Sequence, residues 1–325
     1  MHLTQEKSLR IIPEEEFAQG IVQVEAELSA LRREGCFATK DGAKLYYEYF
    51  LARESIGSVV FVHGLSEFTK KYYELAHYFL DQGYNVFLYD QRGHGKSHRD
   101  TARPELIHIN SFRQLVQDLD TYIETIVRPA AAQPLYLYAH SMGGAVGMLY
   151  LAKHGSKVKK AVLTSPMLMP RMDDLPAWPF LISTTVCRLF RTSRAKFVFS
   201  KEYQVGKPYV PIPGDSPSRV KYCLAFRDAE PCYRSTPMTL GCIQQTTTIR
   251  FRLLSKKVTR AIHTPNLMLC AGNDTLVRTK YQTKFAKRCP SCTYEVLSGA
   301  NHALQTDCDQ ILEKTLKRVL TFLQE

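Results

Sequence analysis

No run of about 18 apolar residues occurs anywhere in the 325-residue chain, so a conventional membrane-spanning helix is not expected. Its first residues, "MHLTQEKSLRIIPEEEF", lack an apolar core and soon turn acidic. A secretory leader is therefore not expected, and a cytoplasmic location is. A paired cysteine framework is missing too. The nine cysteines are an odd number scattered mostly singly, which suits a reducing compartment better than a disulfide scaffold. Cys289 and Cys292, in "RCPSC", are the exception. No second Cys/His pair stands at zinc-ligand spacing, so neither a metal nor a cofactor is expected.

Acidic residues are also in short supply. Against 43 Lys and Arg there are 31 Asp and Glu, a net charge of +12. The excess is concentrated between Arg171 and Arg260, with sixteen basic and six acidic residues. No zinc-finger, RRM or basic-helix pattern accompanies it, so nucleic acid is not an expected partner. Two readings remain for this segment: a solvated basic face, or attraction to an anionic membrane surface.

What the chain does have is core material, with 45% hydrophobic and 11% aromatic residues. That is enough for one large domain with an insertion. Residues 13–34 predict an amphipathic helix, with Pro13 at the first helical position, Glu14 to Glu16 at the positive end of the dipole and Gly35 ending it. Phe17, Ile21, Val24, Leu28 and Leu31 form one apolar stripe, while the other face carries Glu25 and Glu27. Docking on the protein body is expected over lying on an anionic bilayer.

Short apolar runs then alternate with helical patterns: "KLYYEYFLA", "SVVFVH", "NVFLYD", "PLYLYA", "KAVLTSP", "NLMLCAG" and "TYEVL" read as strands. Doubly apolar strands separated by helices predict an α/β fold, a mostly parallel sheet with helices on both faces. Between about Met169 and Ile262 the rhythm breaks into Pro-rich and aromatic-rich stretches. The expected division is an N-terminal helical extension over 1–36, a core over 37–168 and 263–325, and an inserted helical cap over 169–262.

The segment "YLYAHSMGGA" places Ser141 between a strand and a helix, the context of a nucleophile elbow. Its first position is Ala139 where the motif has glycine. The need there is small volume rather than a glycine-only angle, and Gly143 and Gly144 remain unbranched where the helix packs closest, so Ser141 is expected to be live. A serine nucleophile needs a base and a group to orient it. Asp274 follows the strand "NLMLCAG" and His302 follows "TYEVL", which puts Ser, Asp and His in the chain order of this motif. The oxyanion donors are expected to be the amides of Met142 and of Leu65, the latter in the loop after "SVVFVH". His94, in "RGHG", is expected to hold its loop rather than to act in catalysis.

"HGLSEFTKKYYELA", "YDQRGHGKS", "AHSMGGA", "AGNDTLV" and "GANHAL" occur together and in order. The chain thereby resembles the α/β-hydrolases of the monoacylglycerol lipase and lysophospholipase group over about residues 37–325. Within that group it is most similar to the bacterial lysophospholipase L2 type, which shares the Ala-His-Ser-Met-Gly-Gly-Ala elbow and an N-terminal helical extension. The stretch "DAEPCYRSTPMTLGCI" is similar to theirs as well. Leu65-Ser66 departs from the second glycine that relatives often carry. The resemblance implies a serine hydrolase that cleaves the ester of a single-chain lipid, a lysophospholipid first. A monoacylglycerol lipase or broad carboxylesterase, a proline-type aminopeptidase and a catalytically idle scaffold are the rivals. An amine-binding acidic patch, which the aminopeptidase needs, is not evident in so basic a cap. Phe180, Leu181, Leu189, Phe190, Phe197 and Phe199 are expected to line an acyl tunnel.

Overall fold

The computed structural model describes residues 9–171 and 193–325. Its frame is one eight-stranded sheet: β1 (Arg33–Ala38), β2 (Lys44–Phe50), β3 (Gly57–Val62), β4 (Tyr84–Tyr89), β5 (Leu135–His140), β6 (Lys160–Thr164), β7 (Asn266–Ala271) and β8 (Cys292–Leu297). The spatial order is β1-β2-β4-β3-β5-β6-β7-β8. Strand β2 runs antiparallel to both its neighbours, whereas β3 to β8 are parallel to one another. Val59 lies opposite Val86 on one side and Tyr136 on the other. Every residue of β3, β4, β5 and β7 is buried, as expected where helices cover both faces. Each expected strand is present.

The helix Phe112–Tyr122 and the helix Met142–His154 belong to the layer on one face, whose core gathers Phe112, Leu115, Ala145 and Leu149. On the other face Phe17, Ile21, Val24 and Leu28 pack with residues of the helices Tyr73–Asp81 and Asp309–Gln324. Burying each such side chain contributes about 1.5–3 kcal/mol. The N-terminal helix is therefore docked on the body of the protein. Among the described residues no helix is long and apolar enough to cross a membrane.

Two local differences from the sequence pattern stand out. The N-terminal helix spans Phe17–Leu31, not 13–34, because the backbone before it has other partners. The Ile12 carbonyl accepts from Arg219 Nη2 at 2.7 Å, the Ile12 amide donates to Tyr78 Oη at 2.7 Å, and the Glu14 amide donates to Asp309 Oδ2 at 2.9 Å. Gly35 does not end the helix. It lies inside β1, opposite Tyr47 of β2, so the sheet begins at Arg33 within the stretch expected to be helical extension. This is an edge strand in which only Phe37 is buried, and without an alternating pattern it carries little sequence signal.

Between β6 and β7 the described helices are Pro217–Ala229, Leu240–Leu253 and the short Lys256–Thr259. The "CPSC" tetrapeptide is a turn leading into β8, where the Cys292 amide donates to the Cys289 carbonyl at 3.1 Å. Burial and the neighbouring Cys289 push the Cys292 thiol up to about 12, which leaves it a poor source of thiolate.

Candidate active site

Parallel strands end at a common edge, and loops leaving that edge meet there. Ser141 follows β5 near the middle of the sheet, Asp274 follows β7 and His302 follows β8. The elbow itself is strained. Ser141 has φ 51° and ψ −116°, a backbone conformation rare for a residue with a side chain. It is held by its amide, which donates to the Thr164 carbonyl at 3.0 Å, and by the Met167 amide, which donates to the Ser141 carbonyl at 2.8 Å.

Close approach of the next helix makes this turn possible. A Cβ on Gly143 would collide with the Val62 and His63 carbonyl oxygens. Ala139 is fully buried, and a Cβ on Gly147 would come to 3.0 Å from the Ala139 methyl. The helix thus makes room for the methyl at 139 by lacking one at 147. This is the physical reason that alanine fits where the motif has glycine.

The three expected triad residues are brought together. His302 Nε2 lies 2.8 Å from Ser141 Oγ, and His302 Nδ1 lies 2.8 Å from Asp274 Oδ2. The other Asp274 oxygen accepts from the Leu276 and Val277 amides, each at 2.9 Å. Burial alone would favour the neutral acid. The hydrogen bond and charge of His302, with the two amides, outweigh burial and hold Asp274 below the usual carboxylate range. An ionised Asp274 fixes the proton on Nδ1, so Nε2 is the free acceptor facing the serine hydroxyl. All three side chains are largely shielded from water.

Met142 is the first residue of its helix, so its amide has no acceptor within that helix. Leu65 lies in the turn after β3. Its neighbour Gly64 packs directly on Ser141, and a Cβ there would sit 3.2 Å from Ser141 Cβ. Ser66, next in the turn, has φ 61°. His94 stays apart from the Ser141–His302 contact. It is fully buried, its Nδ1 is 3.0 Å from the Arg92 carbonyl, and its ring packs edge-on against His63.

A second buried polar cluster supports the turn and was not assigned from sequence. Glu67 accepts from the Gly64 amide and from Tyr72 Oη, both at 2.6 Å. It also pairs with Lys71 Nζ at 2.5 Å and accepts from Gln305 Nε2 at 3.3 Å. Burial opposes its charge, yet Lys71 and its other partners hold it well below the usual range. His140 Nε2 is 3.8 Å from Glu67, and its ring is 5.1 Å from that of His302. The four-residue step from Glu67 to Lys71 is the one local signal for this cluster. Its bond to Gln305 joins residues far apart in the chain and has no local signature.

The tunnel residues fare differently. Phe180, Leu181, Leu189 and Phe190 lie outside the described residues. Phe197 is buried, whereas Phe199, in edge contact with it, is 44% exposed.

A family model described as serine aminopeptidase, S33, matches residues 53–309. A probable lysophospholipase L2 from Haemophilus influenzae is 30% identical over 287 residues, spanning 87% of this chain and 90% of that protein. The mouse monoglyceride lipase is 24% identical over 284 residues, 86% of each chain. A soluble variant of monoglyceride lipase from Saccharomyces cerevisiae, solved with a substrate analogue, superposes with a TM-score of 0.71. It is 19% identical, with 90% of this chain and 96% of that chain covered, a likeness of fold.

Proposed function

The chain belongs to the serine aminopeptidase S33 family, and from that premise we propose that it is a serine hydrolase of carboxylic esters acting on a single-chain lipid, a lysophospholipid first. The observation that carries this reading is the unbroken contact from Asp274 through His302 to Ser141, 2.8 Å at each step.

Ser141 Oγ attacks the acyl carbon as His302 Nε2 takes its proton. The ionised Asp274 stabilises the imidazolium that forms. The amides of Leu65 and Met142 receive the charge on the carbonyl oxygen. His302 then returns the proton to the leaving alcohol, and water repeats the sequence to release the fatty acid. Residues 169–262 act as a cap over this site.

The choice of a lipid substrate draws on the relatives named lysophospholipase L2 and monoglyceride lipase, each matched over most of its length. An aminopeptidase would need a free carboxylate for the substrate's ammonium group. Glu67, the acid beside the serine loop, is already engaged by Lys71, Tyr72 and Gly64. A monoacylglycerol lipase with the same machinery is the second reading, favoured by the mouse relative.

The test is fatty-acid release from a lysophospholipid and a monoacylglycerol of equal chain length, with Ser141→Ala as the blank. The expected outcome is preference for the lysophospholipid and a loss of at least about a thousandfold in the blank. Hydrolysis that survives Ser141→Ala would sink the mechanism. Preference for the monoacylglycerol would keep it and change the head group.

We also propose peripheral contact with an anionic membrane. Val198, Val205, Val210 and Ile212 are more than half exposed, and the lysines Lys201 and Lys207 stand exposed among them. Exposed apolar side chains interleaved with cations suit a charged lipid interface.

A further inference from the structure

The last turn of the helix Pro217–Ala229 carries Arg227, and its guanidinium reaches the serine loop. Nη2 donates to the Ser66 carbonyl at 3.4 Å, the Ser235 carbonyl at 3.1 Å and Thr236 Oγ1 at 3.0 Å. Nε donates to the Tyr233 carbonyl at 3.1 Å, and the guanidinium carbon sits 4.8 Å from the centre of the Tyr203 ring. All these partners are neutral. Among the described residues no carboxylate lies within ion-pair distance of Arg227, and nothing accepts from Nη1.

The surrounding charges do not compensate. Glu67 is the nearest carboxylate in the loop, and Lys71 already neutralises it at 2.5 Å. Burial pushes both His63, to about 4, and His140, to about 3, into the neutral form. Lys70, on the same loop, adds positive charge and is only loosely paired, 3.5 Å from Glu230. Burial also works against the Arg227 charge and lowers its pKa from the ordinary value. A partly buried guanidinium with no carboxylate at ion-pair distance among the described residues is costly, and that cost is offset when an anion arrives.

We propose that Arg227 is the specificity-determining residue for the head group, its free Nη1 edge receiving the phosphodiester of a bound lysophospholipid. The location suits that chemistry. Arg227 holds the carbonyl of Ser66, two residues beyond Gly64, which packs on Ser141. In a lysophospholipid the phosphate stands a glycerol unit away from the ester, so an anion here is tethered to the acyl carbon under attack. A planar guanidinium is the side chain suited to phosphate oxygens, and a neutral glycerol would leave its charge unmatched.

This inference rests on the lysophospholipid reading above, and one set of assays separates the two. Arg227→Gln and Arg227→Lys are compared with the unaltered protein on a lysophospholipid and a monoacylglycerol of equal chain length. Arg227→Gln should lower kcat/KM on the lysophospholipid about 10- to 100-fold, chiefly through KM, with a much smaller fall on the monoacylglycerol. Arg227→Lys should recover part of the loss. An equal fall on both substrates would make Arg227 a brace of the serine loop and overturn the proposal, as would no change on either. Inhibition of monoacylglycerol hydrolysis by inorganic phosphate that is lost in Arg227→Gln, while that variant keeps the full kcat/KM on the lysophospholipid, would assign the site to a free anion and overturn the head-group role. If the unaltered protein shows no lysophospholipid preference, the broader reading fails first. If it does and both variants keep that preference, this proposal alone fails.

Discussion

Buried histidines surround the serine turn, and their protonation follows from position. His63 Nε2 accepts from the Gln91 amide at 2.9 Å, so its proton sits on Nδ1, 2.7 Å from the Gly64 carbonyl. His140 Nδ1 is 3.2 Å from the Thr164 carbonyl, and the His94 ring packs against that of His63. Burial holds His63 at about 4, His140 at about 3 and His94 well below its ordinary value. Their folded pKa values lie below the unfolded value of 6.5, so their contribution to stability is complete above that pH and is lost as pH falls toward 4. Buried carboxyls act in the opposite sense, since burial raises Asp90 and also Glu48, Glu74, Asp118 and Asp307. Asp90 is raised to about 6, so it favours the fold as pH drops from there. The histidine contribution is read by difference: in His140→Asn the change in unfolding free energy between pH 7 and pH 5 should lose a destabilising part of up to about 1.4 kcal/mol per pH unit. The same pH dependence in His140→Asn and the unaltered protein, from urea melts at both pH values, would contradict the neutral assignment. At this scale the sequence displayed Ser141, Asp274 and His302 clearly, because a motif of a few residues reports its own chemistry. It hid the tautomers, which depend on the far side of each ring.

Among the elements, the one most dependent on distant contacts is the segment before the N-terminal helix. Arg219, only 1% exposed, gathers it. Its Nε donates to both Glu74 oxygens at 3.0 Å, its Nη1 to Asp309 at 2.7 Å and its Nη2 to the Ile12 carbonyl at 2.7 Å. Glu14 meanwhile accepts from the Ser218 amide at 2.8 Å, at the start of the helix that holds Arg219. Four pieces of chain are thereby tied at one buried charge. Arg219→Met should destabilise the fold by about 3–5 kcal/mol, since Glu74 is left buried and unpaired. Adding Glu74→Leu should restore much of the loss, measured by urea melts. No recovery in the double variant would mean that the cost lies in packing rather than in the orphaned charge. The amphipathic stripe from Phe17 to Leu28 was legible because its spacing is local. The start of the helix was not, because Pro13 and three glutamates read as a helical first turn until Arg219 and Tyr78 take the backbone.

For the whole molecule the question is how it meets its substrate. The net charge of +12 is long-range, whereas the exposed Val198, Val205, Val210 and Ile212 act only on contact. Together they predict co-sedimentation with anionic vesicles that weakens steeply as salt rises, since exposed charges are screened beyond about 10 Å at 0.1 M. Equal binding to neutral vesicles would remove the electrostatic part of the proposal. By itself the sequence determined the α/β class, the strands β2 to β8 and the three side chains, Ser141, Asp274 and His302, that the fold brings into contact. Those are properties of apolar periodicity and short motifs, which are set by neighbours a few positions away. Only the tertiary structure decided the edge strand β1, the late start of the first helix, the Glu67 cluster and the neutral acceptors gathered around Arg227. Each of these depends on burial and on partners distant in the chain, and a buried charge reveals its role only when its surroundings are known.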